Sequence, residues 1–127
     1  MRSNSVRILS AVLLLTAAGL AAPASAGDAA RGEQKFAECA TCHSVAAGAN
    51  GVGPSLFGLI GRKAGTVENF RYSPAMKRSG IVWTGQTLDA FLADPQKAVP
   101  ANRMPYAGLT DASDRGDLVS YLEKATK

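Results

Sequence analysis

The sequence predicts an all-α domain of about five helices, some of them very short, joined by long glycine-rich loops. Three observations predict it. Apolar residues recur at helical spacing in several segments, and residues suited to helix capping stand at their starts. Gly48, Gly51, Gly53, Gly58, Gly61 and Gly65, with Pro54 among them, break up the stretch from Ser44 to Gly65. No segment reads as a credible strand.

The helices follow in order along the chain. Residues Asp28 to Ala40 read as the first, with Asp28 as N-cap; Ala29, Phe36 and Ala40 recur at helical spacing, and Gly32 lies near the same face. Ser73 to Ser79 read as one or two helical turns, because Ser73 can cap and Pro74 suits the first helical position. Thr84 to Ala93 form a better helix, with Leu88, Phe91 and Leu92 on one face and Pro95 ending it. Pro95 to Val99 allow another short turn, and residues 100–109 read as extended loop. Asp111 to Ala125 are the strongest helix, capped by Thr110 or Asp111, with Leu118, Tyr121 and Leu122 as its apolar face.

The first helix closes on Cys39-Ala40-Thr41-Cys42-His43, a C-x-x-C-H run of the kind that attaches a c-type haem. The run uses both cysteines and the single histidine of the chain. In that chemistry the thiols of Cys39 and Cys42 add to the haem vinyl groups and the imidazole of His43 binds the iron. A zinc site needs about four ligands, and no further Cys or His supplies them. A redox dithiol of the thioredoxin kind needs a strand–loop–helix setting, which is absent around Cys39. A bound cofactor also accounts for the long irregular stretch 44–65, because it offers a packing surface where secondary structure is lacking. In a domain with so limited a core, the fold is expected to depend on it.

Residues 1–26 read as a cleaved secretory signal peptide. Arg2 and Arg7 precede an apolar run, and Ala24-Ser25-Ala26 is an A-x-A cleavage site. The competing reading is a retained anchor, but the apolar run from Ile8 to Ala22 is short for a span of about 20 residues. Cleavage leaves residues 27–127 as one haem domain. Export to a bacterial periplasm fits haem attachment outside the cytoplasm. Loss of Arg2 and Arg7 lowers the formal charge from +4 to +2, and two haem propionates would offset that. Nothing in this balance points to nucleic acid.

With His43 on one side of the iron, a second histidine is excluded by composition. Met76, Met104, a lysine or an open site remain. Met104 is the expected ligand: it stands between Pro100 and Pro105, on a segment stiff enough to present a thioether at little ordering cost. Met76 follows Pro74 in a helical turn and reads as packing. Met/His ligation raises the reduction potential and closes the iron, which favours electron transfer over oxygen chemistry.

At this point the chain resembles class I c-type cytochromes, the mitochondrial-like, short soluble bacterial periplasmic kind, over essentially all of residues 27–127. The resemblance rests on Gly27-Asp28, Gly32 and Phe36 before the haem motif. After the motif come Gly53-Pro54-Ser55-Leu56, Gly61-Arg62-Lys63, Tyr72-Ser73 and Gly80-Ile81-Val82-Trp83. It continues through Thr87-Leu88, Asp94-Pro95, Arg103-Met104-Pro105 and Asp117 to Leu122. It implies the cytochrome c fold around one covalent haem c. It implies that the Pro54 carbonyl accepts a hydrogen bond from the ligating imidazole, and that Arg62, Tyr72 and Trp83 hold or neutralise a propionate. It also implies that Gly32 and Phe36 cross Leu118 and Tyr121.

The chain departs from the pattern in places. Phe91 stands where a tyrosine beside the axial methionine is usual, Tyr106 replaces a frequent phenylalanine, and Asn102 replaces a threonine that often bonds a propionate; its amide is expected to substitute. Lysines that ring the haem edge in mitochondrial members are replaced here by Gln34, Glu38, Gln96, Thr110 and Asp111, leaving Lys97 and Arg103.

The resulting expectation is a periplasmic single-electron carrier, not an enzyme. It would shuttle between a reductase, such as a bc1-type complex, and an oxidase or other acceptor, as a monomer without stable membrane insertion. Electrons would pass through the haem edge near Cys42 and Met104. The alternative is a haem protein with a labile sixth site that binds gas or reduces peroxide.

Overall fold

The computed structural model describes residues 27–127; the expected leader, residues 1–26, lies outside them. Asp28 caps α1 (Ala29–Phe36), its carboxylate accepting the N–H groups of Ala30 and Arg31 at 2.9 and 3.2 Å. The helix stops four residues earlier than the pattern of apolar residues suggested. After Phe36 the chain tightens through Ala37 into a short 3₁₀ turn, Cys39–Thr41. The carbonyl of Cys39 accepts from both Cys42 and His43, at 3.0 and 2.9 Å, so the haem motif forms a turn of its own.

The remaining helices are α2 (Pro74–Arg78), α3 (Gly85–Ala93), α4 (Pro95–Ala98) and α5 (Ala112–Ala125). Each starts where a cap is available. Ser73 Oγ accepts Met76 N–H and leads into Pro74. Thr84 and Thr87 exchange side-chain and main-chain bonds as a capping box. Asp94 ends α3 in an extended conformation and caps α4, and Asp111 caps α5. Among the described residues no strand forms; a single antiparallel bridge joins Lys63 and Val82. No described helix is long and apolar enough to cross a membrane.

The frame is the crossing of α1 and α5. Phe36 meets Tyr121 with ring centroids 5.2 Å apart, and Leu118 beneath them is 1% exposed. The crossing is close because Gly32 has no side chain: a Cβ there would lie 2.6 Å from the Asp117 carbonyl carbon and 2.8 Å from Tyr121 Cβ. The same crossing buries a charge. Asp117, 2% exposed, accepts the main-chain N–H of Asp28 at 2.6 Å and the Arg31 guanidinium at 2.7 and 3.2 Å. Arg115 does similar work on the other side of α5. It pairs with Asp89 of α3 at 2.9 Å and donates to the carbonyls of Leu109 and Thr110, which fastens the loop entering α5.

The Arg31 hydrogen bond, reinforced by the Asp28 N–H, holds the Asp117 carboxyl below its ordinary value. A depressed carboxylate contributes stability that is fully present above the unfolded-state value of about 4 and is lost as pH falls through the lower, folded-state value. Asp117→Asn is expected to lower the urea midpoint at pH 7 and to flatten its decline below about pH 4. Urea titrations of the wild-type and variant holoproteins from neutral to acid pH check this; parallel acid limbs contradict it.

Candidate haem site

The α1–α5 frame, α3 and the loops between residues 42 and 83 enclose a cavity of about 370 Å³. Its apolar walls include Leu59, Trp83, Leu88, Phe91, Leu118 and Leu122, all of them buried. The haem motif lines it too. The 3₁₀ turn brings the free thiols of Cys39 and Cys42, both half-buried, and the His43 ring to the same cavity. Burial, with Glu38 beside it, pushes the Cys39 thiol up from its ordinary value.

His43 is oriented from behind. Its Nδ1 lies 2.8 Å from the carbonyl oxygen of Pro54. A carbonyl only accepts, so Nδ1 carries the proton and Nε2 is left as the basic atom that can bind a metal. Gly53 presses its backbone on the ring: a Cβ there would stand 2.7 Å from Nδ1 and 2.8 Å from Nε2. The loop that delivers Gly53 and Pro54 is pinned by Asn50. That side chain donates to Glu68 O at 3.0 Å and accepts Ser55 N–H at 2.9 Å, while Ser55 Oγ donates to Ala46 O at 2.6 Å. Neither Gly53 as a contact nor Asn50 as a pin stands out in the sequence. An asparagine among glycines reads as an ordinary turn residue, and its partners lie up to residue 68.

Arg62 and Trp83 are neighbours because Trp83 N–H bonds Arg62 O at 2.9 Å and Gly61 N–H bonds Trp83 O at 2.7 Å, flanking the Lys63–Val82 bridge. Arg62 donates to the carbonyls of Phe57 at 2.7 Å and Ser55 at 3.1 Å. Among the described residues no carboxylate lies within ion-pair distance of it. Burial accordingly lowers its pKa from the ordinary guanidinium value. Tyr72 lines the same cavity, accepts Val67 N–H at 3.2 Å, and is held protonated by burial. A half-buried cation and a phenol on the wall of an apolar cavity suit an anionic group attached to a large apolar one.

Both candidate methionines line the cavity, Met104 from the loop after α4 and Met76 from α2, and both are half-buried. The Met104 main chain is fixed on both sides, its N–H bonded to Asn102 Oδ1 at 2.8 Å and its carbonyl accepting Tyr106 N–H at 2.9 Å. Phe91 is buried edge-to-face on Trp83 with centroids 5.1 Å apart. Tyr106 lines the cavity beside Cys39 and Glu38, and burial raises its phenol. Asn102 lines the cavity as well, but its side-chain amide turns into its own loop.

The donor set therefore fits a haem on the structure's own terms. Two thiols and an imidazole stand at one turn, thioethers reach the cavity from other segments, the walls are apolar, and a half-buried cation faces in without a carboxylate.

Comparison with known proteins agrees with that chemistry. The family model described as cytochrome c matches residues 29–126. A cytochrome c2 of Blastochloris viridis is 46% identical over 112 residues, covering 87% of this chain and 88% of the relative. A cytochrome c of Trypanosoma brucei brucei is 53% identical over 76 residues, covering 60% of this chain and 82% of the relative. The solved structure of cytochrome cH from Methylobacterium extorquens superposes with a TM-score of 0.72 at 43% identity, covering 76% of this chain and 98% of that one.

A methyl group at position 53 has no room beside the imidazole. Gly53→Ala is expected to displace His43 and to cut the yield of low-spin holoprotein severalfold, with excess thiol left free. The haem-to-protein absorbance ratio and thiol titration of the purified variant check this. Full, wild-type-like haem loading contradicts it.

Proposed function

This chain belongs to the cytochrome c family, and we propose that it works as a periplasmic single-electron carrier whose iron is held between His43 and Met104. Its cofactor is one covalent haem c, and it is a small electron carrier of the c-type cytochrome class. That haem supplies a one-electron couple between ferric and ferrous iron.

The observation that carries the finer reading is the two-point presentation of ligands to one cavity. His43 comes from a single local turn and Met104 from a loop whose main chain is bonded on either side of it. Cys39 and Cys42 fix the cofactor in place. The Pro54 carbonyl, accepting from Nδ1, keeps the His43 ring at one angle and makes Nε2 a stronger ligand. The Met104 thioether is neutral and soft, favours the ferrous state and raises the potential. Arg62, with Tyr72 and Trp83, meets the propionate charge. The buried walls around Leu59, Phe91 and Leu118 keep water out.

The exit face carries little net charge: Glu38 and Asp111 offset Lys97 and Arg103. Gln34, Glu38, Gln96, Thr110 and Asp111 are exposed where mitochondrial relatives place lysines, and Lys97 and Arg103 remain. Residues 44–61 hold no charged side chain, and Val52, at the cavity mouth, is 74% exposed. Such a face docks by apolar contact with weak steering. The donor we propose is a bc1-type reductase and the acceptor an oxidase or similar protein. We also propose that residues 1–26 are removed after Ala26, leaving the haem domain 27–127; the intact mass of the native protein tests that cleavage.

In the ferric holoprotein the weak far-red band of a sulfur–iron bond is expected. It should vanish in Met104→Ala and persist in Met76→Ala. A high-spin wild-type spectrum would contradict the closed site and turn attention to gas or peroxide.

The rate of electron transfer to an acidic partner protein is expected to fall only modestly as ionic strength rises. A steep decline between low and high salt would contradict weak steering.

A further inference from the structure

The segment from Asp94 to Tyr106 is bonded largely to itself, and Asn102 is where its bonds converge. Asn102 is only 8% exposed although it lies in a loop. Its Nδ2 donates to Pro95 O at 2.8 Å and to Val99 O at 2.9 Å, and its Oδ1 accepts Met104 N–H at 2.8 Å. Its main-chain N–H reaches Val99 O at 3.1 Å, and its carbonyl accepts Gln96 Nε2 at 3.1 Å. Every polar group of the residue is thus spent between positions 95 and 104.

This pattern needs a primary amide. One nitrogen must donate twice while an adjacent oxygen accepts, and a threonine hydroxyl offers a single hydrogen. Both Nδ2 hydrogens are already used, so no donor remains for a carboxylate. The expectation that this amide replaces a threonine on a propionate therefore has no hydrogen to rest on. The residue before it sharpens the point. Ala101 has φ +66°, the left-handed region that an L side chain rarely adopts. The turn from Val99 to Asn102 is closed against its local preference, and the Asn102 amide supplies bonds that close it.

We infer that Asn102 is the positioning residue of the axial methionine: its side chain sets where the Met104 backbone, and with it the thioether, stands. The inference rests on the proposal that Met104 binds the iron. It separates two events. Loss of the Asn102 bonds releases the ligand loop while the α1–α5 frame stays folded.

The test uses ferric holoproteins and two readouts: the pH at which the far-red sulfur–iron band is lost, and the urea midpoint. For Asn102→Ala, and for Asn102→Asp, whose carboxylate faces two carbonyls, the Met104-off form is expected to gain about ten- to hundredfold in population. That moves the band's pH midpoint down by about one to two units. Asn102→Thr is expected to shift it in the same direction. Val119→Ala, a buried change outside the cavity lining, lowers the urea midpoint and leaves the band's pH midpoint in place. Ala101→Gly, which relieves the left-handed alanine, is expected to reduce the Met104-off population by about two- to fivefold; this variant keeps the test decisive where an Asn102 variant does not fold.

A band midpoint unmoved in Asn102→Ala and Asn102→Asp overturns the positioning role. So does an equal shift in Val119→Ala, or a midpoint in Ala101→Gly that stays put or falls. A wild-type spectrum without the band, or a band retained in Met104→Ala, overturns the axial assignment itself and the positioning role with it, and so is told apart from failure at Asn102 alone.

Discussion

Most of the buried apolar side chains of this small domain pack into one cluster that also lines a shared cavity, and the rest of the structure follows from that arrangement. Leu118 and Leu122 of α5, Leu88 and Phe91 of α3, and Leu59 and Trp83 of the loops are buried and also line it. A domain of this size has little core to spare. Haem c would supply the surface those residues share, which accounts for residues 44–73 passing without a helix or strand. The loops then hold together by specific side-chain bonds, such as those of Asn50 and Ser55, where a sheet ladder would otherwise serve.

The two sides of the site are built on different principles. On the cysteine side everything is local: one carbonyl, that of Cys39, organises the turn that carries both thiols and the imidazole. Pro54 and Gly53 then fix the ring from a loop about ten residues away. On the methionine side the loop is knotted on itself through Asn102 and tied to α3 by the Leu109–Leu92 bond at 2.8 Å. A local motif gives a fixed anchor. A self-bonded loop would let the hold of the proposed Met104 ligand on the iron be tuned without touching the frame.

What the sequence made legible was what depends on near neighbours. The caps at Asp28, Ser73 and Asp111 and the prolines at the starts of α2 and α4 stand where local chemistry puts them. The haem motif carries its meaning in five consecutive residues. Features set by distant partners were not legible. The first helix ends at Phe36 because the motif needs a tighter turn, although Ala40 continues the apolar spacing. The sequence shows Asp117 only as the start of the stretch to Leu122, and its burial against Arg31 and the Asp28 N–H depends on the crossing with α1. Asn102 looked like a substitute for a hydroxyl; the direction of its amide depends on carbonyls three and seven residues earlier.

The account's central claim is that the cofactor completes the core. The most direct measurement compares the protein carrying covalent haem with the Cys39→Ala/Cys42→Ala chain made without haem, by far-ultraviolet circular dichroism and urea titration. The account predicts a cooperative transition and full helix content for the haem protein, and a largely unfolded chain without a cooperative transition for the other. A haem-free chain with the same helix content and a cooperative midpoint close to that of the haem protein would contradict it.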